Sequence, residues 1–323
     1  VQQTLNVSFY QFFDIPDPDF VQAHLAKAVL AFTSMRGTVL IAPEGINACC
    51  AGQHTDITGF LQSIRAFLPQ LSVTPIKESW SEENPFRKMI VKTRREAIAF
   101  GESGIDPATD TGARLDPLTF KQWMDNPQRP FLLVDTRNDY EVDLGTFEGA
   151  IDPRIRTFKE FPDWVRKNLG DKKDTPIVTF CTGGIRCEKA TALMKQEGFR
   201  EVYQIDGGIL NYLEATQSSP KNHWNGNCFV FDHRVAVDRN LAPTQHRICY
   251  ACWHVLEPED TRDSRFKQGS HCPYCFEEQS AKRQRQLELI AQRRQERLEV
   301  SIQKGLEARR AHELKKASQA NPG

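Results

Sequence analysis

The stretch Val178–Met194, "VTFCTGGIRCEKATALM", decides how the middle of this chain folds. A short apolar, β-branched run ends at Phe180. Cys181, Thr182, Gly183, Gly184, Ile185 and Arg186 then turn the chain into a segment of helical composition beginning near Cys187 or Glu188. Strand, tight loop and helix in that order belong to an α/β domain, whose ligand sites lie outside the carboxyl ends of the strands. Two successive glycines permit positive φ angles, so that consecutive backbone N–H groups face inward and form an anion cradle. A Cys181 thiolate in that cradle gains from the N–H groups, the helix N-terminus and the Arg186 guanidinium, all of which lower a thiol pKa. Cys181 is therefore the candidate nucleophile, against the plainer alternative of a buried cysteine before a helix. Cys187, at the start of the helix, either resolves an oxidised or persulfidated Cys181 or packs under the loop as a small apolar residue.

The same alternation extends to both sides. Short runs in "FLLVDTR" (131–137), "PIVTF" (176–180) and "EVYQI" (201–205) are separated by helical segments that include "FPDWVRKNL" (161–169) and "CEKATALMKQEG" (187–198). Buried strands alternating with helices predict a parallel sheet covered on both faces, over residues 117–216. Residues 4–100 instead read β-α-β-β-α-β, the order of a ferredoxin-like, or acylphosphatase-like, sandwich, with late strands expected in "LSVTPIKE" (71–78) and "FRKMIVKT" (86–93). Adjacent Cys49 and Cys50 fall on opposite faces of one of its strands and so share no site. Residues 101–116, "GESGIDPATDTGARLD", lack periodicity and read as a linker. The expected class is thus multidomain, α+β followed by α/β.

With 323 residues, 39% of them hydrophobic, the chain holds two or three cores. Lysine plus arginine and aspartate plus glutamate number 42 each, so a nucleic-acid partner must be sought in local charge. The absence of a long apolar run and of a secretory pattern at the N-terminus predicts a cytoplasmic protein with no membrane partner. The sequence names no protein partner. Nine cysteines, four of them in two Cys-x-x-Cys pairs, suit thiol and metal chemistry better than a disulfide framework.

Those pairs are Cys249 with Cys252 and Cys272 with Cys275, separated by nineteen residues. Two such knuckles suit a tetrahedral structural zinc that ties down a polar segment, and residues 217–280 are read as a zinc-ribbon-like module. His254 and His271 stand beside the knuckles as lesser ligand candidates. Residues 281–323 form a charged tail of helical pattern, in which interspersed glutamates make a solvated, charge-paired helix the simpler reading. The basic run with Arg87, Lys88, Lys92, Arg94 and Arg95 is a better candidate for holding a phosphate backbone, although an exposed edge strand produces the same pattern.

Taken together, "LLVDTRNDYEVDLGTFEGA", "CTGGIR" and "VYQIDGGILNYL" resemble the rhodanese domains between Leu132 and Tyr212. By that resemblance Cys181 carries a persulfide, Thr182 to Arg186 wrap it, and Asp135 with Arg137 brace the neighbouring turn. Cysteine phosphatases use a similar but longer loop, so this one suits a sulfur atom better than a phosphoryl group. With "GTVLIAPEGIN" and "NPFRKMIVKTRREAIAFG" before it and a cysteine-rich tail after it, the whole layout resembles the rhodanese-related tRNA uridine hydroxylases. This resemblance implies hydroxylation of the wobble uridine to 5-hydroxyuridine, molecular oxygen as co-substrate, the anticodon region of tRNA as partner, and a required loop cysteine. No dinucleotide fingerprint is present, so no nucleotide cofactor is expected. The alternatives are a sulfurtransferase passing sulfur from Cys181 to a thiol or to tRNA, and a binding protein with a vestigial loop, against which the intact cysteine and arginine argue.

Overall fold

In the computed structural model, which describes residues 3–277, 280, 282–283, 285–290, 292–293 and 296, the N-terminal segment builds a five-stranded sheet. Its strands are β1 (Thr4–Phe12), β2 (Arg36–Ala42), β3 (Gly45–Gly52), β4 (Lys77–Ser81) and β5 (Met89–Thr93), in the order β4-β1-β3-β2-β5. The first four pair antiparallel with one another, as the ferredoxin-like order requires, and β5 adds a parallel edge beside β2. Two helices cover one face, α1 (Pro18–Ala28) and α2 (His54–Phe67). Asp17 caps α1 by accepting from the Phe20 N–H at 2.8 Å, ahead of Pro18. Ile57, Phe60, Leu61 and Ile64 give α2 its buried stripe, which meets Leu5, Val7 and Phe9 of β1. The strand expected in residues 71–78 is displaced: residues 69–73 form a 3-10 turn after Pro69, and pairing starts at Lys77.

The next domain follows the expected alternation. Its strands β6 (Ala113–Leu115), β7 (Leu132–Asp135), β9 (Ile177–Phe180) and β10 (Val202–Ile205) form a parallel sheet in the order β6-β10-β9-β7, while β8 (Gly145–Phe147) stands outside it. Along its length lie α3 (Pro117–Asp125), α4 (Asp139–Val142), α5 (Phe161–Leu169), α6 (Ile185–Gln196) and α7 (Gly208–Ala215). Alternate side chains of each strand serve two cores. Leu133, Val178 and Ile205 pack with Phe120 and Leu213 on one face, and Val134, Ile177 and Val202 pack with Val165 and Leu193 on the other.

Two sequence boundaries move. Residues 113–115, read as linker, become the edge strand because Tyr203 to Ile205 offer them a ladder. Residues 217–244, read as the start of the cysteine-rich module, pack instead with the preceding domain: β11 (Trp224–Gly226) pairs with β8, and β12 (Cys228–Phe229) pairs with β13 (Ala236–Val237). The first unit accordingly runs to Thr244.

Its two domains are joined by buried charge. Lys189 of α6 is 2% exposed and reaches Glu44 at 2.7 Å and Glu96 at 2.8 Å. Those carboxylates also accept from the backbone N–H groups of Ala97 and Phe100.

The second unit begins at Gln245. It pairs β14 (Arg247–Ile248) with β15 (Val255–Leu256) and gathers Cys249, Cys272, Cys275, Leu256 and Phe266 into a small core. Most of the expected tail over 281–323 lies outside the described residues, among which 285–290 are helical. No helix among the described residues is long and apolar enough to cross a membrane.

Replacing Lys189 with Met leaves Glu44 and Glu96 facing each other without their cation. A loss of about 3 kcal/mol is expected, the low end for breaking a buried pair because both carboxylates keep some contact with water. Urea unfolding of the full chain measures it, and an unchanged midpoint contradicts the role given to this joint.

Candidate active site

The thiol loop sits between the end of β9 and the start of α6. Helix α6 begins at Ile185, two residues earlier than its pattern suggests, so Ile185 and Arg186 belong to its first turn. Of the two glycines only Gly184 takes a positive φ, 102°, at the N-cap. Gly183 does not. The curl is enough to aim the Gly184 N–H at Cys181 Sγ, 3.1 Å away, and the Arg186 N–H also bonds that sulfur. A second loop closes the cradle from the other side: the N–H groups of Ile209 and Leu210 donate to the carbonyls of Cys181 and Thr182 at 2.9 and 3.1 Å. Gly208 makes that approach with φ 66°, and a Cβ there would stand 2.4 Å from the Cys181 oxygen.

Cys181 is 1% exposed, and burial alone would raise its pKa. The Cys187 thiol, the Arg186 guanidinium and the two N–H groups outweigh burial and hold it down to about 6. Cys187, fully buried with its sulfur 3.7 Å from Thr136 Oγ1, moves the other way. Burial and the neighbouring Cys181 thiolate raise its pKa, so it stays protonated and donates to Cys181. A single thiolate therefore shares the site with one thiol.

Arg186 is not left free to face an anion. Its Nη1 and Nη2 meet Glu141 of α4 at 2.6 and 2.7 Å, with the Glu141 carboxylate fully buried. Burial pushes the Glu141 carboxyl up, and Arg186 brings it below its usual range. Asp135 and Arg137 form a second buried pair, with Arg137 Nε to Oδ1 at 2.9 Å and Nη2 to Oδ2 at 2.7 Å. Thr146 Oγ1 also donates to Asp135, and Arg137 continues to the carbonyls of Glu141 and Gly145. These residues fix the turn that presents Glu141, as bracing residues remote from the thiol.

In the sequence only the capping-box pattern of "NDYE" marks Glu141, and it points to a helix start, with no sign of a partner for Arg186. Tyr10, Glu188 and the segment around Phe229 were also missed, because only folding brings them to the loop. Tyr10 of β1 donates to Glu188 at 3.1 Å beside Gly184. Burial and Glu188 raise the pKa of that phenol well above its ordinary value. Glu188 in turn accepts from Arg114, Thr111 and Gln204 at 2.7, 3.0 and 2.9 Å. Thr182 donates to the Phe229 carbonyl at 3.3 Å.

The other candidates lie elsewhere. Arg87 and Lys88 precede β5, Lys92 lies within it, and Arg94 and Arg95 follow. All but the half-buried Lys92 are exposed, on a strand that forms the sheet edge. None of the five makes an ion pair among the described residues. In the second unit the sulfurs of Cys249, Cys252, Cys272 and Cys275 all lie within 4.8 Å of one another, with 3.9 Å for Cys249–Cys275, 3.6 Å for Cys252–Cys272 and 3.7 Å for Cys272–Cys275. A metal bound tetrahedrally at about 2.3 Å per sulfur needs sulfurs about 3.8 Å apart, so the four thiols fit one. His254 stacks on Tyr274, His271 bonds Ser270, and neither joins the cluster.

Comparison with known proteins bears on both domains. Residues 4–97 match the UPF0176 acylphosphatase-like domain, and residues 116–215 match the rhodanese-like domain. A tRNA uridine(34) hydroxylase of Picosynechococcus sp. is 41% identical over 297 residues, covering 90% of this chain and 96% of that protein. Enzymes of the same name from Acaryochloris marina and Rhizobium leguminosarum bv. trifolii are 40% and 41% identical, covering 91% and 84% of this chain and 96% and 87% of theirs.

A lowered thiol pKa favours the folded state once pH exceeds the ordinary thiol value of roughly 8.5, and this gain is lost as pH falls through about 6. The difference in ultraviolet thiolate absorbance between the wild type and Cys181→Ser should accordingly rise with a midpoint near pH 6. A midpoint at the ordinary thiol value removes the basis for a preformed nucleophile.

Proposed function

Because the chain belongs to the family of the tRNA uridine(34) hydroxylases, we propose that it hydroxylates uridine 34, the wobble position of tRNA, to 5-hydroxyuridine with molecular oxygen as co-substrate, and that Cys181 is required. The observation that carries the role of Cys181 is its sulfur, held as a thiolate by two backbone N–H groups and the neighbouring Cys187 thiol. Converting a uracil C–H to C–OH with one atom of dioxygen, and the other to water, consumes two electrons and two protons. Oxidation of the Cys181 thiolate and the Cys187 thiol to a disulfide releases the two electrons and one of the protons, solvent supplies the other proton, and two equivalents of a small-molecule thiol then reduce the pair again. Cys187 is in this reading the second half of a two-electron donor. Thr182 to Arg186 shape the cradle, and Asp135 and Arg137 support it.

The substrate's phosphates meet the unpaired cations Arg87, Lys88, Lys92, Arg94 and Arg95, which suit the backbone of the anticodon region. The four cysteines of the second unit hold a structural zinc ion, since thiolate donors at this spacing fill a closed coordination sphere. The reaction belongs in the cytoplasm, where thiols stay reduced.

Mass spectrometry of tRNA nucleosides from cells lacking the protein tests the reaction. 5-Hydroxyuridine and its derivatives should return with the wild type and not with Cys181→Ser, and Cys187→Ser should lower their yield by at least tenfold. Recovery of thiolated nucleosides instead identifies Cys181 as a sulfur carrier and defeats the hydroxylase reading. For the metal, elemental analysis of purified protein should give one zinc per chain. Cys272→Ser should lose it together with much of the folded yield of residues 245–277, and a full-yield, metal-free wild type rules the zinc out.

A further inference from the structure

The segment after α7 returns across the thiol loop as the hairpin of β12 and β13. Its backbone is tied down by Thr182, whose hydroxyl donates to the Phe229 carbonyl. Phe229 is buried edge-on between Tyr140 and Phe231, at centroid distances of 5.3 and 5.1 Å. Phe231, at the hairpin tip, stays 59% exposed while the Arg186 guanidinium carbon lies 5.7 Å from its ring centre. A lone exposed phenylalanine needs no explanation. This one is held by two neighbours: Phe229 meets it at 77° between ring planes, and the Arg186 guanidinium lies over its ring.

The other end of the tip is anchored to the N-terminal domain. Asp232 and Arg234 pair through two oxygens, Arg234 reaches Ser79 Oγ at 3.2 Å, and the His233 N–H donates to the Pro85 carbonyl at 3.1 Å. Because Pro85 stands two residues before Arg87, that bond brings the start of the basic run to the same tip, and partial burial, joined by the Arg87 guanidinium, lowers the pKa of His233. One hairpin thus joins the thiol loop, an exposed aromatic ring and an unpaired cation. That combination is how proteins hold single-stranded RNA, with cations on the phosphates and aromatic faces under unstacked bases. Phe20 and Trp80 are also exposed, but their ring partners are Phe67 and His54 of the first sheet domain, far in sequence from the loop.

We propose that Phe231 is the platform on which the uracil to be modified stacks once it leaves the anticodon-loop stack, with Arg87 on an adjacent phosphate. The proposal rests on the tRNA reading above and adds to it the residue that presents the base. Stacking on a ring that already contacts Arg186 delivers a nucleobase to the mouth of the cradle. Because Cys181 is buried and its neighbour Thr182 is bonded to Phe229, the base meets the hairpin before it meets the sulfur.

The test uses the full chain and an anticodon stem-loop RNA carrying 2-aminopurine at position 34, whose fluorescence falls on stacking. Wild type and Phe231→Trp should quench it. Phe231→Ala and Phe231→Leu should bind about 5- to 150-fold more weakly without quenching, the range that loss of one base–aromatic stack implies. On the unlabelled uridine RNA, KM should rise in Phe231→Ala by a similar factor, with the Cys181 thiolate absorbance at pH 7 intact. Equal quenching by wild type and Phe231→Ala overturns the proposal. So does wild-type behaviour of Phe231→Leu, since leucine keeps the apolar contact and lacks the ring. A wild type that quenches the probe yet forms no 5-hydroxyuridine upholds the platform and removes the hydroxylase reading. A wild type that forms it with Phe231→Ala equally active removes the platform alone.

Discussion

Arg186 and Glu141 face each other where water is excluded, and neither charge is tolerable there without the other. Moving one ion into such a site costs several kcal/mol, which only a bidentate partner and further hydrogen bonds offset. The consequence reaches the thiol directly. A guanidinium with no carboxylate would give its full field to Cys181, and one already neutralised by Glu141 gives less. The thiolate is therefore maintained jointly by Arg186, the Cys187 thiol and two backbone N–H groups. Glu141 itself stands in place because Arg137, locked to Asp135, bonds the Glu141 carbonyl. Two buried ion pairs in series thus set where the loop can sit.

The first turn and a half of α6 carries this constraint outward. Arg186 and Cys187 serve the loop, while the next two residues, Glu188 and Lys189, serve the N-terminal domain through Tyr10, Glu44 and Glu96. Successive helical residues advance about 100° around the axis, so neighbours in sequence address different partners. The N-terminal domain is coupled to the loop through the element that also makes the cradle. Displacing that domain disturbs Tyr10, which stands against Gly184. The Asp232–Arg234 tip, resting on Ser79, supplies a second tie between the same two domains.

Much of this was legible before folding. The β-α-β-β-α-β order, the alternation of the second domain, the strand-loop-helix that carries Cys181 and the two knuckles around Cys249 and Cys272 all follow from local period and spacing. Period and spacing survive whatever the rest of the chain does. Residues 71–73 were misread because Pro69 starts a 3-10 turn that runs through them, and short apolar runs are ambiguous in short windows. Residues 113–115 were misread because a three-residue strand has no period of its own and exists only where another strand offers a ladder.

By itself the sequence determined the strand-loop-helix around Cys181, because glycine permissiveness, helix start and apolar run are properties of adjacent residues. It likewise determined the four-thiol set, since ligand type and short spacing suffice. Only the tertiary structure decided that Arg186 is paired with Glu141, that Cys187 shares its proton with Cys181, that Tyr10 reaches the loop from 174 positions before Gly184, and that Phe229 and Phe231 meet it at Thr182 and Arg186. The reason is that each of those contacts spans a stretch of chain whose path is set by burying apolar faces. A charged or aromatic side chain finds its partner only after that burial has fixed which strands and helices are neighbours.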